Sequence, residues 1–589
     1  MDKDRRTVWT VVFAAVLVLS TITILPMEST GEVLVVDVDG SGDYITIQDA
    51  VDDAEHGDSI QVLSGLYQED VLIHKRLILE GEDGVVIQGD SYGIRIESEN
   101  SLVGNLSVEG SEIGIELLGD YNTVYDTHIS SSSRGVVFYK GQNNSLQDSK
   151  VDNCSNGVFV FDGVYNTVSD CNVENISGQG ILVSGSVGTD IERNIVDTSG
   201  YHPLYLTRSI DVNISDNLFE GNDRGTYIYR SVGIYLENNS LERGLGIESD
   251  SKDGWDTHEM HGNTIEDGAL HYHVNETDID LESQSGQAIL VNCTNSNVRY
   301  NDFSNAESGL TLAFSSDNSF AANGFVNNYR GIDIFNSENN TFHHNNFVNN
   351  TFQIHSLDVS SKNNSWDDGL GCGNYWSDYG GLDDGSNERT SDDGVGDIEI
   401  PHPDEDHGVG YHRLDPNPLM EMVVKTDNEI QMDNESSGWN FISPGIGLGS
   451  IDLNVLFSPV DYEKVLYYSS EQRSWKSMVP GRSDHFNDEI TIDRSMGFWV
   501  RIDDQSSLNL TGFVSPRTLI ELEPGWNMVG VISNISGNEL PEDVDRVGIY
   551  NGTREYLVEY KDPDEVVLES GKGYWIHNPG CESIIWNVH

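Results

Sequence analysis

Positive charge is what this chain has least of. Lys and Arg together number 32 against 98 Asp and Glu, for a formal net charge of −66 over 589 residues. A nucleic-acid partner is excluded, because phosphate binding needs a basic footprint. Cysteine is scarce too: five residues, Cys154, Cys171, Cys293, Cys372 and Cys581, an odd number with no CxxC step. That rules out a disulfide scaffold and a zinc-ribbon spacing. Met- or Cys-rich clusters, the soft ligands of copper handling, are missing. Long apolar runs are absent beyond Thr7–Met27, which follows Lys3, Arg5 and Arg6. A basic stretch before an apolar run reads as an export signal or an uncleaved membrane anchor over 1–30, placing the rest outside the membrane. Sequons at Asn105, Asn175, Asn213 and Asn551 fit a glycosylated extracellular surface.

What is abundant is periodicity. Asn105, Thr127, Ser149, Cys171, Asn194, Asn217 and Asn239 share one phase, at spacings of 22, 22, 22, 23, 23 and 22, and the period resumes at Asn301, Asn323 and Asn345. A fixed period of this size marks a solenoid. Each repeat carries a glycine and then strict alternation, as in Gly135-Val136-Val137-Phe138, Gly157-Val158-Phe159-Val160 and Gly331-Ile332-Asp333-Ile334. Alternation is a strand signal, and a strand meeting its own successor one turn later pairs in parallel. The expected fold class is all-β: a right-handed parallel β-helix followed by two small β modules. The turn asparagines are expected to stack in ladders that satisfy one another's amides. The run from Ile47 to Ala54 has helical spacing and plugs the open end, as a terminal repeat requires.

The opening, Asp39 to Gly81, resembles that of extracellular right-handed β-helix proteins, including pectin-active ones. The coils, with Asn339-Asn340-Thr341-Phe342 and Asn345-Asn346-Phe347, resemble the NosD-like family, often labelled periplasmic copper-binding. The closing segment strengthens that resemblance: Gly373-Asn374-Tyr375-Trp376-Ser377-Asp378-Tyr379, then Asp392-Asp393-Gly394-Val395-Gly396-Asp397, then Asp415-Pro416-Asn417-Pro418-Leu419-Met420. Beyond it, Gly438-Trp439-Asn440 recurs as Gly525-Trp526-Asn527, and Gly497-Phe498-Trp499-Val500 as Gly573-Tyr574-Trp575-Ile576. This tandem resembles the GWN…GYW repeats of prokaryotic surface proteins. The expected organisation is an export segment over 1–30, a β-helix over 31–365, its closing segment over 366–422, and β modules over 423–515 and 516–589.

Motifs of β-helix enzymes are missing: there is no Asn-Thr-Asp, Gly-His-Gly or Arg-Ile-Lys step. The leading expectation is therefore a secreted or cell-surface protein that binds polysaccharide or cell-envelope glycan without catalysis. The alternative is a polysaccharide lyase, hydrolase or epimerase using the disturbed coil over 253–273, where Asp256, His258, Glu259 and His271 are the catalytic candidates. A copper-handling accessory role, which the resemblance implies, is disfavoured by the ligand composition. Outward positions two and four residues after the coil glycines hold Phe159, Tyr205 and Tyr227 in one column and Tyr139, Phe161, Tyr229, Tyr272 and Phe335 in the other. They predict an aromatic strip suited to sugar rings, or a core under a covering module. Asp383, Asp384, Asp392, Asp393 and Asp397, spaced by glycines, predict a structural calcium loop.

Overall fold

The computed structural model describes residues 31–588, apart from 222–223, 267, 357–360, 362, 392, 398–399, 403–412, 435–436, 449–450, 458, 483–486, 489 and 553–555. The export segment over 1–30 and Asp392 of the acidic loop lie outside the described residues.

The chain winds as a parallel β-helix, and successive coils pair in register one period apart. Val124, Leu146, Val168, Ile191, Ile214 and Leu236 form one continuous column. Phe138, Val160, Val183, Leu206, Ile228 and Ile247 form another on a second sheet. All of these side chains lie in the core and are essentially inaccessible. Each coil presents an apolar residue at the same phase, so in-register stacking buries like on like and a slip would expose a whole column.

The corners obey two rules. A backbone in the left-handed region is needed where the strand turns, and Asp126, Asp148, Asp170, Arg193, Asp216 and Asn238 supply it at successive coils, with φ between 46° and 58°. Asp and Asn tolerate this conformation best among non-glycine residues. A small part of the acidity therefore sits at corners for a conformational reason. The residue that follows turns inward and forms the ladder. The amide of Asn194 donates to Asn217 Oδ1 (2.8 Å), that of Asn217 to Asn239 (3.0 Å) and that of Asn239 to Asn263 (3.0 Å). Each Nδ2 also reaches back to the preceding coil, as Asn217 does to the Ile191 carbonyl at 2.8 Å.

At the N-terminal end, the helix Ile47–Asp53 is capped by Thr46, and its Ile47, Ala50 and Val51 close the core. The far end of this first stack is unexpected. After the strand Leu245–Glu248 the coil order breaks. Thr264 and Ala269 pair antiparallel, and the strand Gly268–Val274 starts a second stack through Gly286–Val291. The sequence reading treats this stretch as one irregular coil of a continuous solenoid; the structure makes it a junction between two stacks with separate cores. In Gly286–Val291, Leu290 faces the second core while Ile289 and Val291 join the first. One face of the new sheet thus closes the open end of the old stack. The next strand's hydrogen bonds are imitated by a side chain: Leu245 N donates to Gln287 Oε1 (2.8 Å) and Gln287 Nε2 donates to Leu245 O (2.5 Å).

The second stack ends in aromatic piles. Phe320, Phe342 and Trp366 stack at 4.8 and 4.5 Å, and Phe325, Phe347 and Trp376 at 5.0 and 4.1 Å. The closing-segment motif supplies those last rungs. Asn374 ends the second ladder, accepting from Asn345 N at 3.1 Å, and the buried Asp415 accepts from Trp376 Nε1 (2.8 Å) and from Asn374 N (2.8 Å). Burial raises the Asp415 carboxyl to about 7 despite these donors. The two C-terminal modules share one strand plan. Each pairs its first and last long strands (Lys425–Met432 with Ser506–Phe513, Thr518–Leu522 with Ile584–Val588) and encloses a four-stranded antiparallel sheet.

Removing a ladder amide tests the corner account. Asn217→Ala leaves Asn194 N without its acceptor in the core and removes the Nδ2 bond to the Ile191 carbonyl. At ~1–3 kcal/mol for a buried orphan, a loss of about 1–3 kcal/mol in urea unfolding is expected. A loss within experimental error would show that the ladder is ornamental.

Candidate functional site

The structure places the catalytic candidates of the disturbed coil on separate elements around the joint between the stacks. Trp255 is fully buried and donates its indole N–H to the Ser249 carbonyl (2.9 Å). His258 is buried beside it with both ring nitrogens engaged: Nδ1 accepts from Ile234 N (3.2 Å) and Nε2 faces the Gly254 carbonyl (3.1 Å). Burial lowers its pKa to about 4. Asp256 pairs with Lys252, and Glu259 is exposed. His271 lies on the other stack, beside Ala288 of the second core, with Nε2 unpartnered. No hydrogen bond joins any two of these four, and the region forms the joint between the two stacks.

The outward aromatic columns exist over the first stack, but unevenly. Tyr139 is 39% exposed, and Phe161, Tyr205 and Tyr229 are half-buried. Phe159 and Tyr227 are buried. Tyr205 and Tyr227 stack at 5.9 Å, and His202 packs against both, at 5.5 and 5.0 Å. Tyr139 carries Lys140 over its ring at 4.9 Å, and Tyr229 carries Arg230 at 4.8 Å. Tyr272 and Phe335 do not continue the strip. They belong to the second stack, where Tyr272 donates to the Trp255 carbonyl (2.5 Å) and Phe335 stacks on Trp255 (5.5 Å).

A charged cluster that the sequence did not reveal lies where the two stacks meet. Glu307, fully buried, accepts from Arg224 Nη2 (2.9 Å), Gly225 N (3.1 Å) and Arg330 Nη1 (3.3 Å). Asp333 lies 3.7 Å from Arg330 and 2.7 Å from His355 Nδ1. Tyr227 donates to Glu248 (2.9 Å), and burial pushes its phenol far above the ordinary range. Gly246 makes the approach possible, since a Cβ there would meet the Tyr227 ring at 2.4 Å and Glu307 Cγ at 2.9 Å. Two guanidinium groups face two carboxylates, and the cluster clamps the stacks together. It was invisible in sequence because Arg224 and Glu307 lie 83 residues apart.

In the acidic loop, Asp393 Oδ2 pairs with Arg517 Nη1 (2.7 Å). Asp397 Oδ2 accepts from the amides of Asp384 (2.7 Å), Gly385 (2.7 Å) and Ser386 (3.1 Å). Burial works to raise the Asp397 carboxyl, and these amides hold it below its usual range. Asp383 Oδ2 accepts from Gly394 N (2.8 Å). Asp383 Oδ1 and Asp397 Oδ1 are buried with no hydrogen-bond partner.

The family model described as "Periplasmic copper-binding protein (NosD)" matches residues 78–276 and 275–381, about half of the chain. The chain belongs to that family. The boundary between the two matched ranges falls at the end of the strand Gly268–Val274, the first of the second stack. No curated protein matches the chain. Among solved structures, an alginate lyase from Paenibacillus sp. is 14% identical, covering 52% of this chain and 97% of its own, with a TM-score of 0.28. The Azotobacter vinelandii mannuronan C-5 epimerase AlgE4 A-module is 12% identical (54% and 93%, TM-score 0.29). A Yersinia enterocolitica family 28 exopolygalacturonase is 10% identical (57% and 78%, TM-score 0.30). Likenesses this low transfer no activity. The copper of the family description can be set against the residues present. Among the described residues, His343, His344 and Asp368 form one group whose donor atoms lie within 4.8 Å of one another. Two imidazoles and a carboxylate fit cupric copper or zinc better than a hard cation.

A buried neutral histidine makes a pH prediction. The folded-state pKa of His258 lies below its unfolded value of 6.5, so the unfolded chain binds the extra proton first. Its contribution to stability is intact above pH 6.5 and declines as pH falls toward about 4. The melting temperature is expected to fall across this window, and His258→Gln, which cannot titrate, to flatten that fall relative to wild type. Parallel wild-type and variant profiles would refute the assignment.

Proposed function

We propose that the protein is an exported carbohydrate-binding β-helix protein that holds a polysaccharide along the outer face of its first stack and performs no chemistry on it. The observation that carries this reading is a set of half-exposed aromatics on one rigid sheet: Tyr139 and Phe161 on adjacent coils and, beyond Ser184 and Thr207, Tyr229 in one column, with Tyr205 in the neighbouring column. Aromatic faces suit the apolar faces of sugar rings, and rungs at about 4.8 Å suit an extended chain over a single residue. Arg230 over Tyr229 is paired with Asp250, so Lys140 over Tyr139 is the cation that the strip offers to a glycan carrying acidic groups. Export is supported by the basic and then apolar N-terminal sequence and by the periplasmic description of the family.

Tyr139 and Tyr229 are the residues to replace, because Tyr227 is buried and its loss would confound stability with binding. Tyr139→Ala and Tyr229→Ala are each expected to weaken binding of an acidic polysaccharide roughly tenfold, the loss of one interfacial aromatic anchor. The melting temperature should stay nearly unchanged. Binding of acidic and neutral polysaccharides by both variants at wild-type affinity, or by none of the three proteins, would overturn the proposal.

Calcium in the acidic loop belongs to the same reading. The two unpartnered carboxylate oxygens of Asp383 and Asp397 support it, and Asp393 is less available because it pairs with Arg517. A chelator is expected to lower the melting temperature and added calcium to restore it. An unchanged transition, with no calcium in the purified protein, would remove the cation from the account.

A further inference from the structure

The second stack carries a pair of histidines that the carbohydrate face does not use. His343 ends the strand Thr341–His343, and His344 follows it at the corner with φ of 54°. One coil earlier the equivalent pair is Ala321 and Ala322, whose small side chains leave space beneath the rings. Both imidazoles are buried. They are covered from outside the stack: the Phe513 ring packs 4.2 Å from that of His344, and Ser515 Oγ lies 3.1 Å from His344 Nε2. The Ser515 hydroxyl donates to the Arg517 carbonyl (3.0 Å), so its oxygen is free to accept the His344 Nε2 proton. That fixes the tautomer and leaves the Nδ1 lone pair pointing the other way, where His343 Nδ1 stands 3.0 Å off and Asp368 Oδ2 3.7 Å off.

We propose that His343 Nδ1, His344 Nδ1 and Asp368 Oδ2 bind one divalent transition cation, zinc or cupric copper, at the joint between the second stack and the first C-terminal module. Two metal–nitrogen bonds of ~2.0–2.1 Å opening about 90–110° place their nitrogens about 3–3.4 Å apart, close to the observed separation. The second shell is built. Ser515 orients His344, and Asp368 Oδ1 accepts from Leu370 N (2.8 Å) and Cys372 N (3.1 Å). Arg494, which pairs with Asp368 Oδ2, shares that oxygen with the cation or swings to its other partners, Thr518 Oγ1 and the Arg517 carbonyl. Cys372 Sγ lies behind His344, 3.3 Å from Ser515 Oγ, and is not a ligand. The site is independent of the carbohydrate face, so either can fail without the other.

The full chain, stripped with a chelator, is titrated with zinc, cupric copper and cobalt. One equivalent of each is expected, copper tightest, with a rise in melting temperature on zinc addition. Bound cobalt should show visible d–d bands and no near-ultraviolet thiolate charge-transfer band. His343→Gln is expected to weaken zinc binding roughly a hundredfold or more. A folded wild type that takes up no metal overturns the proposal whatever the variants do. So does a folded His343→Gln that binds like wild type, and a thiolate band would replace the donor set with one containing Cys372.

Discussion

The constraint on which the molecule depends is that the backbone amide of a coil's buried corner residue finds its acceptor on the next coil. Each ladder residue is satisfied by the coil after it and satisfies the coil before it, as Asn217 does between Asn194 and Asn239. One coil of about 22 residues costs ~1–2 kcal/mol per residue to order, more than its few inward side chains return. Stability is thus a property of the stack, and each end of a stack needs its own solution. The helix Ile47–Asp53 solves the first end, and the Trp366 and Trp376 piles solve the last.

The middle break obeys the same constraint. Where the first stack stops, the exposed strand Leu245–Glu248 presents unpaired backbone groups and an open core. The second stack answers both, with the Gln287 amide in place of a strand and with Ile289 and Val291 in place of a coil. The charged clamp around Glu307 then fixes the angle at which the two meet. A buried ion cluster is weak evidence for net stability, but a strong determinant of a single arrangement when removing one partner strands the others.

The repeat was legible because its physics is local and periodic. Alternation gave the strands, the Asn phase gave the ladders, and the helical spacing at Ile47 gave the plug. The outward columns were also legible, since Tyr205 and Tyr227 do stack as neighbouring rungs. What covers a column was not, because it depends on contacts between distant segments. Phe335 and Tyr272 lie at the same phase as Tyr229 yet meet Trp255, a residue of the junction. His258 shows the limit from the other side. A His beside acids reads as chemistry, but here two backbone groups occupy both nitrogens. The pair His343 and His344 passed unremarked because its third donor, Asp368, comes from the closing segment and its cover from beyond residue 510.

The scarcity of basic residues takes on meaning once the joints are seen together. Arg224 and Arg330 meet Glu307 between the stacks, and Arg494 and Arg517 meet Asp368 and Asp393 where the C-terminal modules dock. Acids at corners stand in water, where like charges are screened over a Debye length of about 8–10 Å. Acids carried into a joint have no such relief and each requires a cation. A chain this acidic can therefore keep most of its charge on the coil surface and hold its joints with a few arginines, while others such as Arg95 and Arg193 pair along the coils. The C-terminal modules accordingly do not hang from a flexible tether. Arg517, at the start of the second module, reaches Asp393, Asn417 and the Gly371 carbonyl at 2.7, 2.7 and 2.8 Å, which makes that segment part of the cap of the β-helix.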